Sequence, residues 1–215
     1  MRRQLSPAVE VKIETVTSSS PVLGSPENAV RQPRLAGYVF PIAGGCLPKG
    51  DQLLPNAPRP YRNGFHEVLD LYESESCTRI RRGTEVVATK DGTVMRVDTT
   101  YVELTQARAY PAFSEPDHAA SSGQISRQAG LDRHGDGAVT RYAHLQGIAP
   151  GITAGLAVKA GQLIAYVGES GTPESVTSPG TENHLHFEVR IGASFLGEGL
   201  AGPEGRKAYE ALFSR

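Results

Sequence analysis

The stretch HLHFEVRI, residues 184–191, decides the fold, because polar and apolar residues alternate along its whole length. Successive side chains of a β-strand point to opposite faces, so the apolar residues share one face and His184, His186, Glu188 and Arg190 share the other. The pattern predicts a strand that buries its apolar face and presents two imidazoles side by side on its open face. Such a pair can offer one nitrogen to a metal and a second imidazole to acid–base chemistry beside it. A polar strand face whose histidines have no such role is the alternative, and for the short motif alone it is the favoured interpretation.

Three other segments combine β-branched or alternating runs with a glycine turn, which is typical of antiparallel strands. They are GTEVVATKDGTVMRVD (83–98), DGAVTRYAHL (136–145) and AVKAGQLIAYVGESG (157–171). The first and third share an apolar pair, a glycine turn and a second strand, which indicates a weak internal duplication. Glycine and proline number 24 and 15 among 215 residues, so turns are frequent, and we predict a mainly β fold of antiparallel strands.

The N-terminal residues 1–36 differ from the rest of the chain because prolines interrupt them at short intervals. Repeated Ser-Pro and Gln-Pro pairs break every run there, which predicts a flexible tail or pro-segment. Within it, residues 9–16 alternate apolar and charged side chains and fit either an edge strand or a mobile arm.

The strand patterns define a predicted domain over residues 37–200, with a long loop inserted at 99–130. Residues 201–215 predict a C-terminal helix packed on that domain. Pro203 suits a first helical position, and apolar residues recur at helical spacing after it.

Composition excludes several classes of protein. Lys and Arg number 22 against 23 Asp and Glu, so nothing in the charge favours nucleic acid as a partner. The longest uncharged apolar stretch, residues 145–158, is too short to span a membrane. The first residues contain two arginines without an apolar region behind them, which fits a cytosolic protein or an exported one shown without its leader. The sequence carries no signal of oligomeric state.

A second candidate site is the segment GFHEVLD, residues 64–70. His66 and Asp70 lie four residues apart, share a face of either a strand or a helix, and are both normal zinc donors. A helix would give HExxD, a variant of the HExxH zinc-protease motif with Glu67 as the base. We favour the strand, because Gly64 and several prolines precede the segment and a HExxD site leaves the two strand histidines without a role.

A third candidate, His144, ends the segment 136–145. Alternation predicts that Thr140, Tyr142 and His144 share a face while Leu145 points to the core. Taken alone, His144 is better explained as a strand-end histidine without function.

The order of these segments closely resembles the lysostaphin/LytM-type zinc metalloendopeptidases, a family that cuts peptidoglycan. His66 with Asp70 is followed by YAHL (142–145), a glycine-rich segment and HLHFEVR (184–190), and the resemblance covers about residues 37–200. It implies an antiparallel β-sheet groove, similar to a barrel sandwich and built on a duplicated hybrid motif, with long loops.

The resemblance also implies a role for each candidate residue. His66, Asp70 and His186 would bind one Zn²⁺ and leave a fourth position open for water. His144 and His184 would be the catalytic pair, one as base and the other as stabiliser of the oxyanion. The implied reaction is attack of a zinc-activated water on an amide bond in the peptide cross-links of bacterial peptidoglycan, in the cell envelope or outside the cell. No further cofactor is implied.

Departures from the family pattern are few. Val68 stands where the family usually has glycine, and Asn183 stands where proline is common. The 99–130 insertion is expected to form a wall of the groove. None of these changes removes a predicted ligand.

Two cysteines and two histidines remain. Cys46 and Cys77 form a disulfide if the protein is exported, and otherwise are two buried thiols. They are not needed as zinc ligands. His118 and His134 lie in loop segments and are predicted to be surface residues.

Two other functions compete with the enzyme. One is a non-catalytic member of the same family that binds cell-wall peptide or activates an amidase, although such proteins usually lack the metal ligands. The other is a biotinyl or lipoyl carrier, which the KDGTVMRV segment resembles. A carrier needs a modifiable lysine, whereas Arg96 occupies that place.

Overall fold

The computed structural model describes residues 35–60, 64–103, 105, 130–200 and 202–214. Side chains are described for the same residues except those at 130–132.

Several predictions fall on other parts of the chain. The 9–16 segment, His118, residues 1–34 of the predicted tail and residues 106–129 of the predicted insertion lie outside the described residues.

The described ranges contain a short 3₁₀ helix, Asp51–Leu53, two α-helices and twelve strands. The helices are α1 (Glu174–Thr177) and α2 (Gly202–Leu212). The strands are β1 (Pro58–Arg59), β2 (Gly64–Phe65), β3 (Leu69–Leu71), β4 (Glu85–Val87), β5 (Gly92–Val97), β6 (Gly130–His134), β7 (Val139–Ala143), β8 (Leu145–Ile148), β9 (Ala157–Val158), β10 (Leu163–Val167), β11 (Leu185–Ile191) and β12 (Ser194–Phe195).

Every strand pair in this part of the chain is antiparallel. The largest sheet has the order β12-β11-β7-β6-β5-β9, and β3 pairs with β11 as its seventh strand. A second sheet has the order β4-β10-β8, and β1 pairs with β2. The predicted mainly β, antiparallel fold is therefore confirmed.

The weak internal duplication in the sequence corresponds to a reciprocal pairing of strands. In each copy a short strand leads through a glycine turn into a longer one, giving β4 and β5 in the first and β9 and β10 in the second. The short strand of each copy pairs with the long strand of the other, β4 with β10 and β9 with β5. The Ala88 N–H donates to Gln162 O at 2.9 Å, and the Val94 N–H donates to Leu156 O at 2.9 Å. Two similar half-motifs thus complete each other's sheets.

The apolar face of β11 lies in the core, as its alternation predicts. Leu185, Phe187 and Val189 are 0% exposed. Tyr209 and Leu212 of α2 belong to the same core, which confirms the short C-terminal helix. None of the described helices is long and apolar enough to cross a membrane.

The prediction for His134 is wrong, because this side chain is buried rather than on the surface. It is 3% exposed. Its Nδ1–H donates to Asp91 O at 3.1 Å, and its Nε2 lies 2.9 Å from Thr140 Oγ1. Both ring nitrogens have partners, and burial lowers the pKa of His134. It is a structural residue beneath the turn that joins β6 and β7.

The two cysteines form a disulfide, Cys46–Cys77, with a Cα–Cα distance of 5.4 Å. Of the two possibilities that the sequence leaves open, the structure contains the pair. Backbone bonds from Cys46 N to Ser76 O (3.1 Å) and from Lys49 N to Glu75 O (3.3 Å) run beside it. The bridge therefore fastens the loop that leaves β3, the strand of Asp70.

We expect reduction of this disulfide to lower the free energy of unfolding by about 3–4 kcal/mol, because the bridge closes a loop with a sequence separation of 31. Urea unfolding followed by circular dichroism, with and without dithiothreitol, measures the change. The control is the double variant Cys46→Ser/Cys77→Ser, whose stability should be lower and independent of dithiothreitol. Equal stability of the oxidised and reduced wild-type protein would contradict the prediction.

Candidate metal centre and active site

The site is built on the pairing of β3 with β11. Asp70 lies directly opposite His186 in this ladder, and His186 also pairs with Ala143 of β7. Residues paired directly across an antiparallel ladder share a face of the sheet. Asp70 and His186 therefore lie on one face, and the neighbouring pair Leu69–Phe187 lies on the other, in the core.

His66 joins this pair from the short segment between β2 and β3. Its Nε2 lies 2.8 Å from Asp70 Oδ2. Its Nδ1–H donates to Leu54 O at 3.2 Å, which leaves the Nε2 lone pair directed at the carboxylate. Since Leu69–Leu71 is a strand, the arrangement is the extended one that we favoured and not a HExxD helix. Glu67 points elsewhere and pairs with Arg190 at 2.7 Å.

His144 enters the site through an unusual backbone conformation. The prediction that it shares a face with Tyr142 is wrong, because Tyr142 is paired with Phe187 and buried in the core. His144 has φ = +56°, in the left-handed region between β7 and β8. This breaks the alternation and turns the imidazole to the face of His186. The conformation costs a non-glycine residue about 1–2 kcal/mol, and a hydrogen bond from Nδ1–H to Ser170 O (2.8 Å) holds it.

His184 precedes β11 and is fixed on both sides. Its backbone bridges to Gly168, and its Nδ1–H donates to Glu182 O at 2.7 Å. The ring of Tyr72 stacks on the His184 imidazole with a centroid distance of 4.4 Å and an interplanar angle of 15°. The Tyr72 hydroxyl donates to Glu182 Oε2 at 2.9 Å. Sequence reasoning missed Tyr72, and its position two residues after Asp70 was the available signal.

Glu188 supports His186 from the same strand. The sequence placed it on the open face, and it does share that face, but it is buried at 4% exposure. His186 Nε2–H donates to Glu188 Oε1 at 3.2 Å, and Arg141 Nη1 donates to the same carboxylate at 2.9 Å. This carboxylate–histidine pairing directs the other nitrogen of His186, Nδ1, towards Asp70.

The donor atoms of His66, Asp70 and His186 are close enough to share one ion. His66 Nε2 lies 2.8 Å from Asp70 Oδ2, and His186 Nδ1 lies 3.3 Å from Asp70 Oδ1. Ligands on one tetrahedral zinc, each about 2.0–2.2 Å from the metal, are on the order of 3.3–3.6 Å apart. Asp70 Oδ1 is buried and has no hydrogen bond of good geometry from the described residues, although His186 Nδ1 lies 3.3 Å and His184 Nε2 3.9 Å from it. A carboxylate oxygen held between two imidazole nitrogens without a well-formed hydrogen bond fits a metal centre.

A second set of donors overlaps the first. Ring nitrogens of His144, His184 and His186 all lie within 4.8 Å of one another, and this group of three histidines can also bind a metal. The His144 ring centroid is 4.7 Å from that of His184 and 5.0 Å from that of His186. All five predicted side chains therefore meet in one cluster, and His186 belongs to both sets.

The charges around His186 and Asp70 are strongly coupled. Burial opposes ionisation of Asp70, but the contacts with His186 and His66 outweigh it and hold the pKa of this carboxyl well below its usual value. Burial likewise opposes the cation of His186, but Asp70 and Glu188 raise the pKa of His186 to about 9. In the metal-free protein a partly buried imidazolium thus lies between two carboxylates.

His144 and His184 behave in the opposite way. Burial, and then the charge of the neighbouring histidines, lowers the pKa of His144 well below its usual value. Burial also lowers the pKa of His184. Both imidazoles are therefore neutral near pH 7. Their Nδ1–H groups donate to backbone carbonyls, so each imidazole keeps a lone pair on Nε2 that can accept a proton.

The raised pKa of His186 predicts how metal-free stability depends on pH. This pKa is about 9 in the folded protein against an ordinary value of 6.5. The contribution of protonated His186 to the free energy of unfolding is then complete below pH 6.5 and is lost as the pH rises through 9. We expect the free energy of unfolding of EDTA-treated protein to fall between these two pH values. Urea unfolding at both pH values measures it, and a fall of the same size in the variant His186→Asn would contradict the assignment.

Residues 118–197 match the model of Peptidase family M23. None of the curated proteins matches the chain.

Three of the similar solved structures are as follows. A zinc-containing peptidase from Vibrio cholerae is 22% identical with a TM-score of 0.47, and the match covers 75% of this chain and 39% of that chain. This chain thus spans less than half the length of that protein. The catalytic domain of lysostaphin from Staphylococcus simulans is 21% identical with a TM-score of 0.40, covering 63% and 74%. A mutant catalytic domain of the prophage-encoded M23 protein EnpA from Enterococcus faecalis is 21% identical with a TM-score of 0.41, covering 70% and 92%.

The matched segment contains His144, His184 and His186, three of the five side chains that meet in the cluster. Over residues 118–197 the chain is therefore similar to Peptidase family M23, which agrees with the family resemblance drawn from the sequence.

Proposed function

We propose that the protein is a zinc-dependent endopeptidase that hydrolyses amide bonds in the peptide cross-links of bacterial peptidoglycan. The observation that carries this proposal is the convergence of five polar side chains from separate segments, His66, Asp70, His144, His184 and His186. Each of the four imidazoles has one nitrogen hydrogen-bonded away from the cluster and the other directed into it.

We assign the zinc to His66, Asp70 and His186. This set includes the buried Asp70 Oδ1, which has no well-formed hydrogen bond in the described part of the chain and is not a ligand in the three-histidine set. It also includes His186, whose outer nitrogen is held by a carboxylate, an arrangement that fixes a metal-binding imidazole and raises its basicity. When bound, zinc would supply a Lewis acid for the scissile carbonyl and for a water.

His144 and His184 are left for proton transfer and for charge stabilisation. Because both are neutral near pH 7 and present a free Nε2, each can take a proton from a water at the site. Once protonated, an imidazole in this position can donate a hydrogen bond to a developing oxyanion or return the proton to the leaving amine. The stacked ring of Tyr72 keeps His184 from rotating.

The disulfide supports a location outside the cytoplasm, because such bonds persist in oxidising compartments. Together with the family match, it agrees with action in the cell envelope or outside the cell.

The proposed activity is tested by incubating purified sacculi with the zinc-loaded protein and identifying the soluble fragments by mass spectrometry. Wild-type protein should release peptides with newly formed amino termini, and His184→Ala should release none. Glu67→Gln is a matched control that should retain activity, because Glu67 is 51% exposed and its carboxylate pairs with Arg190. If the zinc-loaded wild-type protein binds sacculi without releasing fragments, the non-catalytic, wall-binding function is correct instead.

Zinc content distinguishes the two donor sets. We expect His66→Ala to lose zinc, whereas His144→Ala should retain one zinc per chain while its activity falls by about 10²–10⁴-fold. Inductively coupled plasma mass spectrometry of dialysed protein measures the stoichiometry, and circular dichroism shows whether each variant is folded. Loss of zinc from His144→Ala with retention by His66→Ala would assign the metal to the three histidines.

A further inference from the structure

Glu169 is a buried carboxylate outside the five-residue cluster. It is 4% exposed, and burial of a carboxylate is costly unless its oxygens accept hydrogen bonds. Both oxygens of Glu169 do so. Oε1 accepts from the Gly180 N–H at 2.6 Å, and Oε2 accepts from the Glu182 N–H at 3.2 Å. The side chain therefore joins the segment that follows β10 to the segment that leads into β11.

The two segments that Glu169 joins supply the hydrogen-bond acceptors of both proposed catalytic histidines. His144 donates its Nδ1–H to Ser170 O at 2.8 Å, and Ser170 is the residue next to Glu169. His184 donates its Nδ1–H to Glu182 O at 2.7 Å, and the N–H of Glu182 binds the Glu169 carboxylate. One side chain thus connects the two carbonyls that orient the rings.

The chain between these two carbonyls is a loop that core packing does not hold at its far end. It comprises residues 171–181 and contains α1, and residues 177–181 are exposed. Tyr72 binds the side chain of Glu182 at 2.9 Å but not its backbone. The backbone on this side is fixed by the bond from His184 N–H to Gly168 O, at 3.1 Å, and by the two bonds to Glu169.

We propose that Glu169 is a positioning residue for the proposed catalytic pair. Its carboxylate keeps the two carbonyl acceptors at a fixed separation, so that His144 and His184 both keep a proton on Nδ1 and a lone pair on Nε2. If a carbonyl is released, the ring that it holds can turn or change tautomer and no longer presents Nε2 to the substrate. A displacement of about 1 Å at a reacting group can lower a rate by about 10²-fold. This inference rests on the proposed function, since it takes both histidines to act on the substrate.

The variant Glu169→Gln tests the proposal, because an amide has one oxygen and an NH₂ group, so that one of the two backbone N–H groups would meet a donor. Nitrogen-15 NMR of the histidine rings in the EDTA-treated full chain near pH 7 reports the tautomers without depending on zinc or on turnover. In wild-type protein, His144 and His184 should each have a protonated Nδ1 and an unprotonated Nε2. We expect the His184 ring of Glu169→Gln to become a mixture of the two tautomers. The variants His144→Ala and His184→Ala assign the signals.

Zinc content and rate give a second readout. The two imidazoles that we assign to zinc donate instead to Leu54 O and to Glu188, so Glu169→Gln should retain one zinc per chain. Its rate of fragment release at saturating sacculi should fall about 10–100-fold, with little change in the concentration that gives half the maximal rate. Glu174→Gln is the matched control and should behave as wild type, because Glu174 lies in α1 of the same loop and accepts neither N–H.

Unchanged tautomers in Glu169→Gln, or the same change in Glu174→Gln, would overturn the proposal. Loss of zinc from Glu169→Gln would also overturn it, because the side chain would then serve the metal centre. Glu169→Asp keeps the charge but is too short to reach both donors, and it carries the test if Glu169→Gln does not fold by circular dichroism. Loss of the fold in both would assign Glu169 to the fold and overturn the proposal. A change of tautomer in Glu169→Gln, with a zinc-loaded wild-type protein that does not hydrolyse sacculi, would support the positioning of the rings and overturn the proposed activity.

Discussion

The site depends on one antiparallel register, in which Asp70 of β3 lies opposite His186 of β11. A slip of β3 by one residue would turn Asp70 to the core face, where Leu69 and Leu71 are fully buried. An unpaired carboxylate among apolar side chains costs far more free energy than a single core contact contributes. The hydrophobic core therefore specifies which face carries the carboxylate, and the position of the reactive groups follows from the packing on the opposite side of the sheet.

The ring N–H group that points away from the cluster has a different kind of acceptor in His186 than in the other three histidines. His66, His144 and His184 donate Nδ1–H to backbone carbonyls, which fixes the neutral tautomer with a lone pair on Nε2. His186 instead donates Nε2–H to the carboxylate of Glu188, and Asp70 and Glu188 together raise its pKa to about 9. A strongly basic ring suits a metal ligand, and neutral rings of low pKa suit proton transfer. The acceptors behind the rings therefore distinguish His186 from His144 and His184, whereas His66, which we assign to the metal, has the same kind of carbonyl acceptor as the proposed catalytic pair.

The sequence predicts those parts of the structure that follow from local periodicity. Alternation over 184–191 correctly gives the buried and open faces of β11, and glycine turns mark the antiparallel strands. Prediction from periodicity fails where a single residue departs from the local pattern. His144 is such a residue, and the neighbouring residues give no indication of its positive φ. Local periodicity also fails to predict the position of a side chain that is fixed by contacts between residues far apart in the sequence. His134 is buried because Asp91 and Thr140 happen to meet its ring, and Tyr72 reaches His184 only through the pairing of β3 with β11.

The short distance between the His144 and His184 rings depends on a glycine at position 168. Its φ is not positive, so no turn requires glycine there. A Cβ at this position would lie 2.5 Å from the backbone nitrogen of Gln146, two residues after His144, while His184 N–H donates to Gly168 O at 3.1 Å. Gly168 therefore lies between the backbone of β8, the strand that follows His144, and the backbone of His184, the residue before β11. Any side chain would force these backbones apart, and with them the two imidazoles whose centroids are 4.7 Å apart. The glycine is needed for close approach, because a Cβ here would also lie 2.9 Å from the backbone carbonyl carbon of Leu145, the residue after His144.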